Sequence, residues 1–519
     1  MTEKQFGKNW TKGDTVKSLF LFLMHFVILV VITGLMLLGD KFNALGEYMR
    51  ENGADYLYAL FSVFLLVFIM YFYFLFEDKD MISNGKNISL LFIVLDVYFL
   101  FAWFIGGQGG NQDGRLYARP VALVSLLIYV LVGRKDAIFM TVVSCLLMFI
   151  VDTFTGTETL TSIATDSEKI IQGVKDYYSS LLISFSAGMF AIFICSQTKT
   201  RFSVVLIGMF IVIPIDLIIF LLEISKLADP ASLGTKSVLL DILTKMGHGF
   251  FGGVMSTVIF LAILPIFEGI FNRLTVFRLR ELTSTDAKIL KKLKEEAPGT
   301  YNHSTMVAQL SEACAAAIGE NADYARAAAL YHDVGKLHNP EHFTENQSGY
   351  NLHDELSPEL SADIIRSHAK DGYTLIRNQH LPEFLADVAL QHHGTMPIRY
   401  FYAKALKLTD AELNIEDFSY LGPKPQTKIA AIVMIADASE AAVRAANART
   451  PEAAQKAIQA VIEERMNLEQ FSECDITLGD LTKITHALVN TLTGVYHHRI
   501  KYPNLKYRRT ESGTKGENE

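Results

Sequence analysis

The feature that most constrains this chain is a series of apolar stretches, most of them long enough to cross a hydrocarbon core of about 30 Å. They lie at 19–38, 57–76, 88–105, 119–132, 137–153, 179–196, 203–222 and 248–267. Lipid offers the backbone no hydrogen-bond partners, so a chain carrying such stretches must fold them as helices that satisfy their own N–H and C=O groups. The expectation is a transmembrane domain over 19–270 with about eight spans. The fourth stretch, PVALVSLLIYVLV, is short, and its crossing depends on the residues before it.

Orientation follows from the basic residues. Lys4, Lys8, Lys12 and Lys17 precede the first span and predict a cytoplasmic N-terminal tail over 1–18. Eight crossings then put Lys79, Lys86, Arg134, Lys135, Lys199, Arg201, Arg273, Arg278 and Arg280 on that same side and return the C-terminal half to it. The first span has no small-x-small cleavage site after it and reads as retained, not as a signal peptide. Asp96 and Asp216 fall inside apolar stretches, where a carboxylate must be paired, protonated or wetted; a ligand pocket is one reading and structural pairing the other. Asp152 lies near a span end and is uninformative.

A second region begins where the apolar stretches stop. Twelve of the 14 histidines lie beyond residue 270, the exceptions being His25 and His248. Residues 271–298 read as a juxtamembrane linker, with Thr285 a candidate helix cap and Pro298-Gly299 a break. From 299 to 507, alanine-rich segments with a period near 3.6 and almost no strand-like alternation predict an all-helical domain. The whole chain is therefore all-α: a polytopic membrane bundle followed by a helical soluble domain. Residues 508–519 contain no large apolar group and are expected to be disordered. Cys145, Cys195, Cys314 and Cys474 are too scattered for a disulfide framework. The net charge of -8 argues against a stable nucleic-acid partner. A homo-oligomer is left open.

The chemistry concentrates at HDVGK, His332-Asp333-Val334-Gly335-Lys336, which follows the helical segment AAALY. Alone, His-Asp is a weak signal. Its companions are His303 just past the Pro-Gly break, His368 closing SADIIRSHAKDG, His392 and His393 closing LADVALQHHG, and Asp437 within the apolar helix KIAAIVMIADASEAAV. Each alone reads as a cap or surface group, but Asp437 unpaired on so apolar a helix would carry a large desolvation cost. Side chains from several helices converging inward are how a helical domain assembles a metal cluster. The set suits two ions: His303, His332, Asp333 and Asp437 at one, with Asp333 bridging to a second held by His368, His392 and His393. Mixed imidazole and carboxylate donors favour manganese or iron over zinc, cobalt or magnesium. Two such ions lower the pKa of a shared water and offset charge on a phosphate ester.

Asp333 and Lys336 are the candidate catalytic residues, Lys336 as a phosphate contact with a solvated surface lysine as the rival reading. Gly335 is expected to end the helix beside the site. His338, His342 and His353 lie in a following loop and read as groups that orient ligands or line the substrate mouth, His353 with Asp354 as a candidate supporting pair. His486, His497 and His498 read as core or surface. Tyr350, Arg399, Tyr400 and Arg444 are candidate substrate-binding residues, able to stack on a base or pair with phosphate.

The stretches EAPGTYNHS, AALYHDVGK, ENQSGYNLHDELSPELSADIIRSHAKDG, QHHG, RYFYAKA and MIADASEAAVRA occur in an order that resembles the HD-domain phosphohydrolases. The resemblance is closer to the seven-transmembrane, membrane-bound cyclic-di-AMP phosphodiesterases of that class. It covers about residues 296–447 and implies two transition-metal ions, commonly manganese or iron, with cleavage of cyclic-di-AMP to linear pApA in the bacterial cytoplasm. All seven family ligands have a counterpart here: His303, His332, Asp333, His368, His392, His393 and Asp437. The related cyclic-di-GMP hydrolases carry Gly-Tyr-Pro where this chain reads HHGTMPIRYF. One departure is that about 18 residues separate the first two spans where the family has a large extracytoplasmic domain. The expected function is a two-metal phosphodiesterase at the bacterial inner membrane with both termini cytoplasmic, its spans serving signal input. An HD phosphohydrolase for cyclic-di-GMP, a nucleoside triphosphate or an RNA end is the alternative enzyme, and a catalytically silent nucleotide receptor the non-enzymatic one.

Overall fold

The computed structural model describes residues 12–38, 45–106, 115–162, 167–198, 200–227, 236–409, 412–448 and 450–495. The expectations for the tail over 1–11, for His497 and His498, and for 508–519 fall outside the described residues. The chain divides into two compact units, Met1–Leu282 and Thr283–Glu519. Both are helical, and no strand forms among the described residues beyond one isolated bridge between Pro397 and Ser419.

The first unit contains α1 (Lys12–Leu38), α2 (Leu45–Glu77), α3 (Lys79–Ser83), α4 (Gly85–Gly106), α5 (Leu123–Leu131), α6 (Arg134–Ser162), α7 (Ser167–Cys195), α8 (Arg201–Gly208), α9 (Val212–Leu227), α10 (Lys236–Ile270) and α11 (Val276–Leu282). Among the described residues, seven segments are long and apolar enough to span a membrane: Val16–Leu37, Gly53–Glu77, Gly85–Ile105, Arg134–Phe154, Tyr178–Cys195, Arg201–Ile224 and Val238–Ile270. The sixth is α8 and α9 joined through a 3-10 turn at Met209–Ile211, just before Pro214, whose missing N–H weakens the ladder there. Gly208 admits close packing at that turn, because a Cβ on it would lie 2.3 Å from Thr257 Oγ1 of α10.

The stretch at 119–132 differs from the expectation of an eighth span. It folds as a 3-10 turn at Arg115–Ala118 followed by the nine-residue α5, which reaches only about 14 Å at 1.5 Å per residue. Residues 116–128 are all buried. Hydropathy responds equally to lipid and to a protein core, and here the protein core is the environment; non-helical backbone is tolerated in such a bundle where protein covers it.

Charge inside this unit is handled by pairing. Asp152, expected to say little, accepts two hydrogen bonds from the buried Arg119 guanidinium at 2.6 and 2.8 Å, and a third from Ser180 Oγ at 3.3 Å. Lys245 lies 3.0 Å from Glu223 and 3.1 Å from Asp241. Arg201 joins Glu268 of α10 to Glu281 of α11, each at 2.6 Å, and Thr275 also bonds Glu268. Asp96 and Asp216, by contrast, form no ion pair among the described residues, and Oδ1 of each is buried without a protein hydrogen-bond partner.

The second unit contains α12 (Lys288–Glu296), α13 (Pro298–Ile318), α14 (Ala322–Tyr331), α15 (Pro358–Asn378), α16 (Glu383–Gln391), α17 (Arg399–Leu406), α18 (Lys428–Ala445), α19 (Pro451–Asn467) and α20 (Leu478–Val495). Their starts are chemically marked. Asn321, Ser357, Thr427 and Thr450 each accept the N–H three residues on, which satisfies a donor the helix cannot. Pro298, Pro358 and Pro451 occupy the first helical position, where their missing N–H costs nothing. Thr285 does not cap α12 as expected; that helix starts later, after Ala287, and Ser284 Oγ takes the N–H of Asp286. The core is built from small side chains: Ala430, Ala431, Ala436 and Ala325, Ala327, Ala328, Ala329 are all fully buried, so α14 and α18 sit close enough for short side chains between them to converge.

The Arg119–Asp152 pair gives a test of the bundle. Removing one partner strands a buried charge, so Arg119→Ala should destabilise the protein by about 3–5 kcal/mol. A double change to Arg119→Met with Asp152→Leu should recover much of that loss, read as thermal melting in lipid nanodiscs. A single variant that melts like wild type would contradict the pairing.

Candidate metal centre

The seven expected ligands meet at one place, and local backbone explains how. His303 lies on α13 one turn in from Pro298. His332 closes α14, after which Asp333 has φ -106° and ψ 11°; leaving the helix there lets two adjacent residues face the same point. His392 caps the end of α16 with His393 following, and Asp437 lies within α18. His368 does not end its helix as expected but sits inside α15, which runs on to Asn378.

Gly335 and Gly299 permit the approach. A Cβ on Gly335 would lie 1.9 Å from the His368 carbonyl oxygen and 2.5 Å from Gly372 N. The glycine of HDVGK therefore lets α15 pack against it; its φ is not positive, so helix termination is not its role. A Cβ on Gly299 would meet Glu345 O at 2.0 Å. That contact seats a loop on the start of α13, where Asn346 Oδ1 accepts Thr300 N at 3.2 Å and Thr300 Oγ1 donates to Glu345 at 3.1 Å.

Asp333 is 2% exposed and its two oxygens face different histidines. Oδ2 is 3.3 Å from His332 Nε2 and 3.8 Å from His303 Nε2. Oδ1 is 3.3 Å from His368 Nε2 and 3.7 Å from His392 Nε2. Asp437 also spans both groups: Oδ1 lies 2.9 Å from His303 Nε2 and 4.0 Å from His332 Nε2, and Oδ2 lies 4.0 Å from His393 Nδ1. Two clusters result, His303 with His332 and Asp333, and His368 with His392 and His393, each with donor atoms within 4.8 Å of one another.

The donors fit divalent cations. His332, His368 and His392 each donate Nδ1–H to a carbonyl of their own turn, Ala329 O at 2.7 Å, Ile365 O at 2.5 Å and Ala389 O at 2.8 Å, which leaves Nε2 as the lone-pair nitrogen. Nε2 of His368 and His392 then face each other at 3.3 Å with no proton to share, an arrangement a cation would satisfy. His332 Nε2 and Asp333 Oδ1 are buried with no hydrogen-bond partner. Asp333, Asp437, Glu345 and Glu440 bring four carboxylates to this centre, with the Lys336 ammonium between Asp333 and Glu345 and the Arg444 guanidinium 3.5 Å from Glu440.

Electrostatics agree with that inventory. Burial lowers the pKa of His368, of His392 strongly, and of His393 to about 3, so these imidazoles are neutral ligands. Burial raises Asp333, but the adjacent His332 imidazole and the Lys336 ammonium outweigh it and hold the carboxyl well below its usual range. For Asp437 burial is likewise outweighed, here by the hydrogen bond and charge of His303. His303 is the exception among the histidines. Burial lowers it, yet hydrogen bonds to Asp437 and Glu440 raise it further, to about 10.

Lys336 is not a solvated surface group. Its Nζ lies 2.8 Å from both Asp333 Oδ2 and Glu345 Oε1 and 5.0 Å from the Phe343 ring centroid. Three groups at the centre were missed from sequence: Glu345; Glu440, whose Oε2 is 3.1 Å from His303 Nδ1; and Tyr420, stacked on His393 with ring centroids 4.2 Å apart. Spacing signalled Glu440, three residues after Asp437 and so on the same helical face. The other two come from loops and carried no signal.

The remaining candidates lie outside the seven. Tyr350, Arg399, Tyr400 and Arg444 are exposed. Arg399 pairs with Glu464 at 2.7 Å, Tyr400 packs edge-on against Phe401, and Arg444 reaches Glu440 at 3.5 Å. His353 does not support a ligand through Asp354 as expected; it is buried against Phe401 and bonds His342 O at 2.9 Å, so it braces its own loop, while Asp354 is exposed. His338 and His486 are exposed.

Two outcomes follow from this geometry. Gly335→Ala should cost about 1–3 kcal/mol or more from overpacking and weaken cation binding by the His368 cluster; melting and metal content check it, and wild-type values would contradict the close approach. In the chelated protein His303 is protonated at pH 7.5, so cation binding should release about one proton there. Its raised pKa also means that this charge's stabilisation of the chelated protein is complete below about 6.5 and fades as pH rises through about 10. Calorimetry in buffers of differing ionisation enthalpy reads the proton, and binding without release would contradict the His303 assignment.

Comparison with known proteins places this centre. The HD domain family matches residues 300–442, and the family described as 7TM receptor with intracellular HD hydrolase matches 54–275. That second range covers six of the seven membrane-length segments, the first of them from its second residue, together with the buried residues 116–128. The cyclic-di-AMP phosphodiesterase PgpH of Listeria monocytogenes is 36% identical over 456 residues, 86% of this chain and 59% of that protein. PgpH of Bacillus subtilis is 35% identical over 429 residues, 82% of this chain and 56% of that protein. The chain thus spans under two thirds of the length of these curated relatives. A crystal structure of the L. monocytogenes PgpH HD domain in complex with cyclic-di-AMP is 48% identical, covers 41% of this chain and 99% of its own, and has a TM-score of 0.39. This chain is a multi-pass bacterial membrane protein that belongs to the PgpH-like family of seven-transmembrane proteins with an HD hydrolase domain.

Proposed function

We propose that the chain is a metal-dependent phosphodiesterase that hydrolyses cyclic-di-AMP to linear pApA. The observation that carries this reading is the pair of histidine clusters meeting on the two oxygens of Asp333, in a chain 36% identical to a protein named for cyclic-di-AMP hydrolysis. The C-terminal unit is proposed to be cytoplasmic, supported by Arg273, Arg278 and Arg280 just past the last span, which puts the site beside a cytoplasmic nucleotide. The expected cytoplasmic N-terminus needs an eighth crossing, which the seven membrane-length segments among the described residues do not supply.

His303, His332, Asp333 and Asp437 would hold one divalent cation and Asp333, His368, His392 and His393 a second, with manganese or iron favoured by mixed nitrogen and oxygen donors. Such a pair supplies an activated water and positive charge for the phosphoryl oxygens. The chain's own residues prepare for this. The own-turn carbonyls fix the imidazoles of His332, His368 and His392 in the tautomer that presents Nε2 inward. Lys336 holds Asp333 and Glu345 in place, and is the residue nearest the bridge with charge to lend an incoming phosphate. Tyr350 and Tyr400 offer exposed rings for a base. Arg399 and Arg444 offer guanidinium groups for the second phosphate once exchanged from Glu464 and Glu440.

The test is a substrate panel on the full chain in nanodiscs loaded with Mn²⁺. Cyclic-di-AMP should be linearised, cyclic-di-GMP and nucleoside triphosphates should be cut at least about tenfold more slowly, and Asp333→Ala should abolish turnover. Preference for another nucleotide would overturn the substrate assignment, and tight binding with no product would overturn catalysis.

A further inference from the structure

Four histidines of the centre have an Nδ1 partner at hydrogen-bond distance, and one is held differently from the rest. His332, His368 and His392 rest Nδ1–H on neutral carbonyls of their own helical turns. His303 instead meets Glu440 Oε2 at 3.1 Å, through a side chain 5% exposed. Glu440 reaches it from α18, one turn beyond Asp437, and its other oxygen lies 3.5 Å from Arg444. A carboxylate accepting from an imidazole N–H fixes the ring and makes the opposite nitrogen a stronger electron-pair donor than a carbonyl does, and loss of such a partner weakens metal affinity by about ten- to a hundredfold.

We infer that Glu440 is a positioning residue that makes the two cation positions inequivalent: acting through His303, it tightens the ion of the His303–His332 cluster and leaves the His368–His392–His393 ion unaffected. The inference rests on the metal reading of the site but not on the substrate. Its geometry is one-sided, since Glu440 contacts His303 and the second cluster receives nothing comparable from its backbone carbonyls. Glu440 is buried, with one carboxylate oxygen 3.1 Å from His303 and the other 3.5 Å from Arg444.

Full-length protein in nanodiscs, stripped with chelator and titrated with Mn²⁺ against a competing chelator, should bind two ions. Glu440→Gln should weaken one of them about tenfold or more and leave the other at its wild-type affinity, whereas His368→Gln should weaken the opposite one. Equal weakening of both ions by Glu440→Gln, or of neither, would overturn the proposal. Should Glu440→Gln also lower the melting temperature of the chelated protein, Glu440→Asp decides, because it keeps an anionic acceptor. It should restore part of the lost affinity, and binding as weak as the glutamine variant's would overturn the assignment. No substrate is present in these titrations, so a failure to hydrolyse cyclic-di-AMP would leave the result standing.

Discussion

The second unit is organised around one carboxylate that must face two ways. Asp333 is buried, carries its charge, and has histidines from α13, α14, α15 and α16 on its two oxygens. Burying a charge among apolar helices is costly unless it is paired, and here the pairing is distributed over several helices so that no one of them can shift without exposing it. The alanine-filled interface of α14 with α18 and the glycine contact between Gly335 and α15 are the means by which backbones come near enough for side chains this short to meet.

The same rule shapes the first unit without chemistry attached. Arg119 with Asp152, Lys245 with Glu223, and Arg201 with Glu268 and Glu281 are paired charges in a mostly apolar unit. The first of these anchors the irregular segment before α5, where a 3-10 turn interrupts helical hydrogen bonding. The last ties α10 to α11, the final helix of the unit, so the end of the last span and the short helix after it are fastened by charge.

Much of the centre was legible because histidine and aspartate are conspicuous in an alanine-rich helical background. His303, His332, Asp333, His368, His392, His393 and Asp437 could be grouped by chemistry before any distance was known. What surrounds them was harder to read. Glu345 and Tyr420 arrive from loops whose paths no periodicity specifies, and Glu440 looked like one more charged helical residue despite sharing the face of Asp437. Gly335 was read as a local terminator because sequence shows its neighbours in the chain and not α15 across from it. Helix count in the first unit failed at one place for a related reason: the stretch 119–132 is apolar because protein buries it, and hydropathy cannot say which apolar medium a residue meets.

The central claim is that a single aspartate joins two cations. Electron paramagnetic resonance of the full chain loaded with Mn²⁺ tests it most directly, since two ions sharing a carboxylate at about 3.5–4 Å couple magnetically. The account predicts two manganese ions per chain with an exchange-coupled spectrum that Asp333→Ala converts to uncoupled or lost signals. A wild-type protein that binds one ion, or two with the spectrum of isolated Mn²⁺, would contradict it.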